Sequence, residues 1–186
     1  MPASPRHILA VCLDCGDTLV DEGTEIKDAH EVVQQADLIP GAARMVRDIK
    51  QRGYPLALVA DGPTGTFRNV LTQYELYDLF DVFAISEELG VEKPDPGMFR
   101  HALNHLGVNE ADYGRVVMLG NHLGRDVKGA NGLGIVSVWL NWSPRRHKIP
   151  VDDTEIPRHI IMTPAEFIPL LEKIEASRVN GDTNSV

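Results

Sequence analysis

The chain has 186 residues, with 18 Lys+Arg against 27 Asp+Glu and a formal net charge of −9. That length suits one domain with a full hydrophobic core, and 43% hydrophobic with 24% charged residues is ordinary globular composition. The acidic balance excludes the basic face that nucleic-acid phosphates require, and it disfavours an anionic membrane surface. The first apolar run, residues 8–13, is shorter than the roughly 7–15 residues of a secretory h-region or the roughly 20 of a membrane span. Cys12 and Cys15 are the only cysteines and make no disulfide scaffold, so a reducing cytoplasm is the expected compartment.

In chain order, short apolar runs predict strands at 7–13, 55–60, 82–86, 115–119, 135–140 and 159–162. Between them, apolar residues recur at helical spacing. Ala42, Met45 and Ile49 share one face of 41–52; Phe67, Val70, Leu71 and Tyr74 form a second stripe; Phe99, Ala102, Leu103 and Leu106 form a third. A last helix opens with Thr163 as N-cap, Pro164 at the first position and Glu166 closing a capping box, followed by Phe167, Leu170, Leu171 and Ile174. Continuous apolar strands alternating with helices predict an α/β fold, a Rossmann-like three-layer sandwich around a central, mostly parallel sheet. No repeat or linker interrupts the pattern. Residues 1–175 are therefore expected to form a single domain, with 176–186 a polar, frayed tail.

In an open parallel sheet, ligands gather beyond the carboxyl ends of the strands. Asp14-Cys15-Gly16-Asp17-Thr18 follows the first strand, and Asp61-Gly62-Pro63-Thr64-Gly65-Thr66 the second. Glu92-Lys93-Pro94-Asp95-Pro96 lies in the loop after the third, and Gly120-Asn121-His122-Leu123-Gly124-Arg125-Asp126 follows the fourth. Carboxylates, one lysine and glycine-rich turns thus converge on one edge. Hard oxygen ligands suit Mg²⁺, and a cation neutralises phosphate charge. Helices opening after Gly62 and after Pro94 would aim backbone N–H groups at an anion.

Four stretches in order, LDCGDTL, IPGAARMVRDIKQRGYPLALVADG, LFDVFAISEELGVEKPDPGMFRHAL and VVMLGNHLGRDVKGANGLGIVSVWL, resemble the motifs of the haloacid dehalogenase-like (HAD) hydrolases. The resemblance spans residues 7–175. It implies Asp14 as covalent nucleophile and Lys93 as the cation that neutralises nucleophile and phosphate. It further implies Mg²⁺ held by Asp14, the Gly16 carbonyl, Asn121 and Asp126, with Asp61 and Gly62 beside the phosphoryl group.

Three positions depart from the family's phosphatases. Gly16 stands where they carry a second Asp, the acid for the leaving group and base for water. Ala60 replaces a phosphoryl-binding Ser or Thr, and Asn121 replaces a metal-binding Asp. A positioned acid is worth typically ~10²–10⁴-fold, and its absence hurts least when the leaving group departs unprotonated, as from an acyl phosphate. The segment between Asp14 and Gly41 is too short for a helical cap domain, so a capless core with an open crevice is expected.

The expected reaction is phosphoryl transfer onto Asp14 and then to water, from a small phosphorylated molecule or activated phosphate. The alternative is a catalytically impaired relative that binds a phosphate-bearing ligand or a protein partner. Specificity would come from surface loops or a neighbouring subunit, which leaves a homo-oligomer open. A phosphorylation-dependent receiver module ranks last, because its acceptor follows the third strand and Asp14 follows the first.

The remaining candidates have plainer readings. Cys12 and Cys15 read as structural, since Cys12 belongs to a buried strand rather than a helix N-terminus. His101 and His105, four apart, read as a solvated pair opposite the Phe99, Leu103 and Leu106 face. Arg145-Arg146-His147-Lys148 reads as an exposed loop, with phosphate or partner binding as the alternative. Asp17 reads as a turn residue, with a substitute acid as the alternative. His122 lies in the loop after the fourth strand, within reach of the site, and Asp61 also suits a helix N-cap.

Overall fold

A computed structural model describes residues 6–179. The elements in chain order are β1 (Ala10–Leu13), β2 (Ile26–Lys27), β3 (Val33–Gln35), α1 (Ala42–Gln51), β4 (Leu56–Ala60), α2 (Thr64–Thr72), β5 (Val82–Ile85), α3 (Ser86–Leu89), α4 (Pro96–His105), β6 (Val116–Gly120), α5 (Lys128–Gly132), β7 (Val136–Leu140), β8 (His159–Ile161) and α6 (Phe167–Val179). Six strands form one parallel sheet in the order β5-β4-β1-β6-β7-β8, and β2 pairs antiparallel with β3 in a separate hairpin. The order reverses at β1, which is flanked by β4 and β6. Asp14 therefore leaves the sheet at the switch point, where such sheets open a crevice.

Alternation along each strand divides the core into two layers. Val11 and Leu13, with Leu56, Leu58, Val117 and Leu119, pack against α1, α2 and α6 through Met45, Ile49, Phe67, Val70, Phe167 and Leu171. Ala10 and Cys12, with Ala57, Val59 and Met118, pack against α4 through Met98, Phe99, Ala102 and Leu103. The six predicted sheet strands and the four predicted helix faces are all present, because runs buried on both faces and helical stripes are the strongest periodic signals a chain carries.

Two segments differ from the sequence reading. Helix α6 continues to Val179, so residues 176–179 of the expected tail are helical; residues 180–186 lie outside the described residues. A contact on this helix supplies the reason. Glu175 accepts the backbone N–H groups of His7 and Ile8 at 2.9 and 3.0 Å and the Tyr54 hydroxyl at 3.0 Å, tying α6 to the entry of β1.

The β2–β3 hairpin was the second difference, since strands of two and three largely exposed residues carry no readable alternation. It is pinned to α2: the Val33 N–H donates to Thr66 Oγ1 (3.0 Å), Asn69 Nδ2 donates to the Val33 carbonyl (2.9 Å), and the Tyr74 hydroxyl donates to the Ala36 carbonyl (2.9 Å). Among the described residues, no helix is long and apolar enough to cross a membrane.

Candidate active site

The carboxyl ends of β1, β4 and β6 open into a cavity of about 310 Å³ that is lined by Asp14, Gly16, Glu22, Asp61, Lys93, Asn121 and Asp126, among others. Asp14 is placed by backbone continuity. Its N–H donates to the Leu119 carbonyl at 3.0 Å, extending the β1–β6 ladder by one residue. Its carboxylate then meets Lys93 Nζ at 2.7 Å through Oδ1 and the Thr18 hydroxyl at 3.1 Å through Oδ2.

Lys93 is 4% exposed and spends all three of its ammonium protons inside the protein. They go to Asp14 Oδ1 and Asp126 Oδ1, each at 2.7 Å, and to the Val59 carbonyl at 2.8 Å. Burial opposes the charge, but the carboxylates of Asp126, Asp14 and Asp61 outweigh it and hold the ammonium above its ordinary value. Asp126 sits on a π-helical turn, Leu123–Val127, and its second oxygen accepts the His122 N–H at 2.9 Å. A Cβ at Gly120 would lie 2.5 Å from the Asp126 Cβ, so glycine there makes the room for this carboxylate.

The cluster holds two buried carboxylates against one ammonium. Burial, and after it the Asp14 charge, pushes Asp126 up to about 7 despite the contact with Lys93. A further cation would relieve that excess negative charge. The oxygens on hand are those of Asp14 and Asp126, the Gly16 carbonyl, and the Asn121 side chain, whose Nδ2 donates to that carbonyl at 3.0 Å. An all-oxygen set fits a hard divalent cation such as Mg²⁺. Among the described residues, no three His, Cys, Asp or Glu side chains group as a metal site, so carbonyl and amide oxygens would have to complete the shell.

Asp61 bridges two partners. Its Oδ1 accepts the Lys93 backbone N–H at 2.9 Å, and its Oδ2 accepts Arg125 Nη1 at 3.1 Å. The Gly62 N–H, expected to face an anion, instead donates to Ser86 Oγ at 2.9 Å. The two helix N-termini are likewise served by the protein's own carboxylates: Glu87 accepts the Thr64 N–H of α2 at 2.8 Å, and Asp95 accepts the Gly97 N–H of α4 at 2.7 Å. Ala60 is 1% exposed and belongs to the core rather than to the cavity wall.

Asp17 does not face the cavity. It is fully buried in a left-handed turn (φ 50°), as a turn residue should be, and its carboxylate binds Arg145 and the Ser143 hydroxyl (2.8 Å). Burial works against that charge, but the hydrogen bonds from Arg145 and Ser143 prevail and hold the carboxyl below its usual range. The substitute-acid alternative for Asp17 is thereby removed.

The basic run is no free loop either. Arg145 spans Asp17 and Asp21, while Arg146 pairs with Glu22 and lines the cavity. Charged cavity residues that the sequence reading did not place there include Glu22 and Arg146, and also Glu25, Lys27 and Glu31. For Glu22 and Arg146 the signal was only the matching of an acidic doublet, Asp21-Glu22, with a basic doublet more than a hundred residues away. Burial raises the Glu22 carboxyl; Asp17 and Asp14 add to this, and Arg146 offsets part of it.

His122 lines the cavity, and its Nδ1 is buried without a hydrogen-bond partner among the described residues. Burial, then Arg125 and Arg146, lower its affinity for a proton. Cys12 and Cys15 are free thiols in the two opposite core layers, which rules out a dithiol pair; burial pushes Cys12 up to about 12. His101 and His105 lie 4.3 Å apart between ring centres on α4, their rings tilted by 34°, outside the cavity.

A glyceraldehyde 3-phosphate phosphatase of Pyrococcus furiosus is 31% identical over 149 residues, which are 80% of this chain and 58% of that protein. This chain thus spans little more than half the length of the curated relatives it matches first. An uncharacterised protein from Listeria monocytogenes serotype 4b superposes with a TM-score of 0.66 at 25% identity, over 89% of this chain and 99% of its own. The HAD-hydrolase YfnB of Bacillus subtilis, solved bound to magnesium, superposes with a TM-score of 0.62 at 24% identity, over 73% of this chain and 56% of its own. The haloacid dehalogenase-like hydrolase model matches residues 11–134, the stretch that carries β1 through α5 and every cavity residue from Asp14 to Asp126; the chain belongs to the haloacid dehalogenase-like hydrolases.

Proposed function

We propose that the protein hydrolyses small phosphorylated molecules through a phosphoryl-aspartate formed on Asp14, with Mg²⁺ as cofactor. One observation carries this reading: a carboxylate at the end of the central strand that faces an open cavity while a fully engaged lysine binds it and a second buried carboxylate. A phosphatase named for a three-carbon sugar phosphate among the relatives supports the same substrate class. Residues 1–175 act as one capless unit, since only a short helical turn and the β2–β3 hairpin separate Asp14 from α1.

In the first step an Asp14 oxygen attacks phosphorus, the bond from phosphorus to the leaving oxygen breaks, and the leaving oxygen takes the electron pair. In the second, a water oxygen attacks the same phosphorus, the bond to Asp14 breaks, and inorganic phosphate departs. Lys93 pairs with Asp14 and orients it, and Asp61 accepts the Lys93 backbone N–H. Arg125 and Arg146 at the rim attract the dianionic ester. Asp14, Asp126, Asn121 and the Gly16 carbonyl would hold Mg²⁺, which when bound neutralises phosphoryl charge as it develops.

The test is to incubate the protein with Mg²⁺ and acetyl phosphate or p-nitrophenyl phosphate, beside Asp14→Asn. Phosphate release or a phosphoryl adduct that disappears in the variant is the expected result. No release and no adduct with either donor, together with no Mg²⁺-dependent thermal shift, overturns the reading.

A further inference from the structure

Phosphoryl transfer through Asp14 needs a group that protonates the leaving oxygen and later deprotonates water. Most ionisable groups around the cavity are committed. Lys93 has no proton to spare, Asp126 accepts from Lys93 and His122, Asp61 accepts from Lys93 and Arg125, and Asp17 is sealed against Arg145. Two lining groups keep a free atom: His122, whose Nδ1 has no hydrogen-bond partner among the described residues, and Glu22, whose Oε2 pairs with Arg146 while Oε1 lies against Gly16, the residue two beyond Asp14.

Resting on the phosphohydrolase reading, we propose that Glu22 supplies this acid and base, its carboxyl standing in the space that a side chain at position 16 would fill. A Cβ built on Gly16 would sit 3.0 Å from the Glu22 carboxyl carbon and closer still to Oε1. The Gly16 φ is not in the left-handed region, so the backbone does not demand glycine there; the space a side chain would take is held by the Glu22 carboxyl. Asp14, Cys15 and Gly16 all line the cavity, so a side chain at position 16 would stand beside Asp14 at the same opening.

Two clamps hold Glu22 in place. Asp17 Oδ1 accepts its backbone N–H at 3.2 Å, and Asp21 caps the 3₁₀ turn Glu22–Thr24 by accepting the Gly23 N–H at 2.9 Å. Arg146 binds Oε2, which leaves Oε1 facing Gly16. Arg146, Arg145 and Asp17 are positioning residues in this scheme. When the bond from phosphorus to the leaving oxygen breaks, that oxygen takes the proton from Glu22 Oε1. The resulting carboxylate then takes a proton from the attacking water as its oxygen bonds phosphorus, and the Asp14 oxygen departs with its electron pair. Glu22 ends protonated, ready for the next cycle.

The experiment compares wild type, Glu22→Gln and the relocated pair Gly16→Asp/Glu22→Ala. All are assayed with Mg²⁺ on p-nitrophenyl, p-chlorophenyl and phenyl phosphate, and for adduct formation from acetyl phosphate. In Glu22→Gln the loss of turnover should grow with leaving-group basicity, reaching about 10²-fold or more for the most basic group the wild type still turns over. Acetyl phosphate should still phosphorylate Asp14, and the adduct should persist for want of a base. The relocated pair should recover a large part of the loss.

A loss equal across the series, no loss at all, or an adduct that fails to form from acetyl phosphate overturns the role of Glu22 while leaving the phosphohydrolase reading standing. A wild type inert on every donor overturns both.

Discussion

Replacing Lys93 with Met would keep an unbranched stem of similar length and delete the ammonium. The two carboxylates it bridges are buried, with side-chain exposures of 11% at Asp14 and 1% at Asp126, so water cannot take over their solvation. Removing one partner of a buried ion pair costs about 3–5 kcal/mol, against about 0–1 kcal/mol for an exposed pair. In a chain of this size each kcal/mol lowers Tm by about 2–4 °C, so a fall of roughly 6–20 °C is expected in metal-free buffer. Urea titration of wild type, Lys93→Met, Asp126→Asn and the double variant closes a double-mutant cycle. The Asp126→Asn change should return a large part of the Lys93→Met loss, because it removes the stranded charge. A Lys93→Met loss below about 1 kcal/mol, or a double variant no more stable than Lys93→Met, would refute the view that this cluster is held by paired buried charge.

Three further outcomes are expected. Gly129→Ala would place a Cβ 2.6 Å from Phe99 Cζ and 3.3 Å from the Pro94 Cα, so overpacking of α5 against α4 should cost about 1–3 kcal/mol in urea titration. Glu175→Ala would strand the two N–H groups of His7 and Ile8 and the Tyr54 hydroxyl, with a cost of about 1–3 kcal/mol and faster amide exchange at the entry of β1. His159 is held below its ordinary value by burial, then by Lys173 and Arg158, so the folded chain binds its proton less readily than the unfolded one. Its share of stability is intact above about pH 6.5 and lost as pH falls below that, and His159→Gln should flatten the drop in Tm between about pH 7 and 5.

The sheet was legible because its strands are buried on both faces and read as unbroken apolar runs, and the strand-end rule then gathered Asp14, Asp61, Lys93, Asn121 and Asp126 at one cavity. The rule says where a residue lies and not where its hydrogen bonds go. The Gly62 N–H and the amides opening α2 and α4 therefore lay in the expected loops but were bonded to Ser86, Glu87 and Asp95. Charged doublets in polar loops look like solvated surface in a sequence. Only folding shows that Asp21-Glu22 and Arg145-Arg146 face each other. The hairpin escaped for a different reason, since its order comes from Thr66, Asn69 and Tyr74 of another segment rather than from its own pattern.

The central position of β1 has a consequence for how the chain comes to be folded. Cys12 pairs with Ala57 on one side but with Met118 on the other, more than a hundred residues later. At a synthesis rate of about 5–20 residues per second, the β6 edge of β1 waits roughly 5–20 s for its neighbour to be made. Through that interval the apolar run Ala10–Leu13 keeps one row of backbone donors and acceptors unpaired, an edge to which another nascent chain can add. The strand that presents Asp14 is made before both of its neighbours and gains the second only with β6, so the yield of folded protein should respond to expression rate and to chaperones far more than its final stability would suggest.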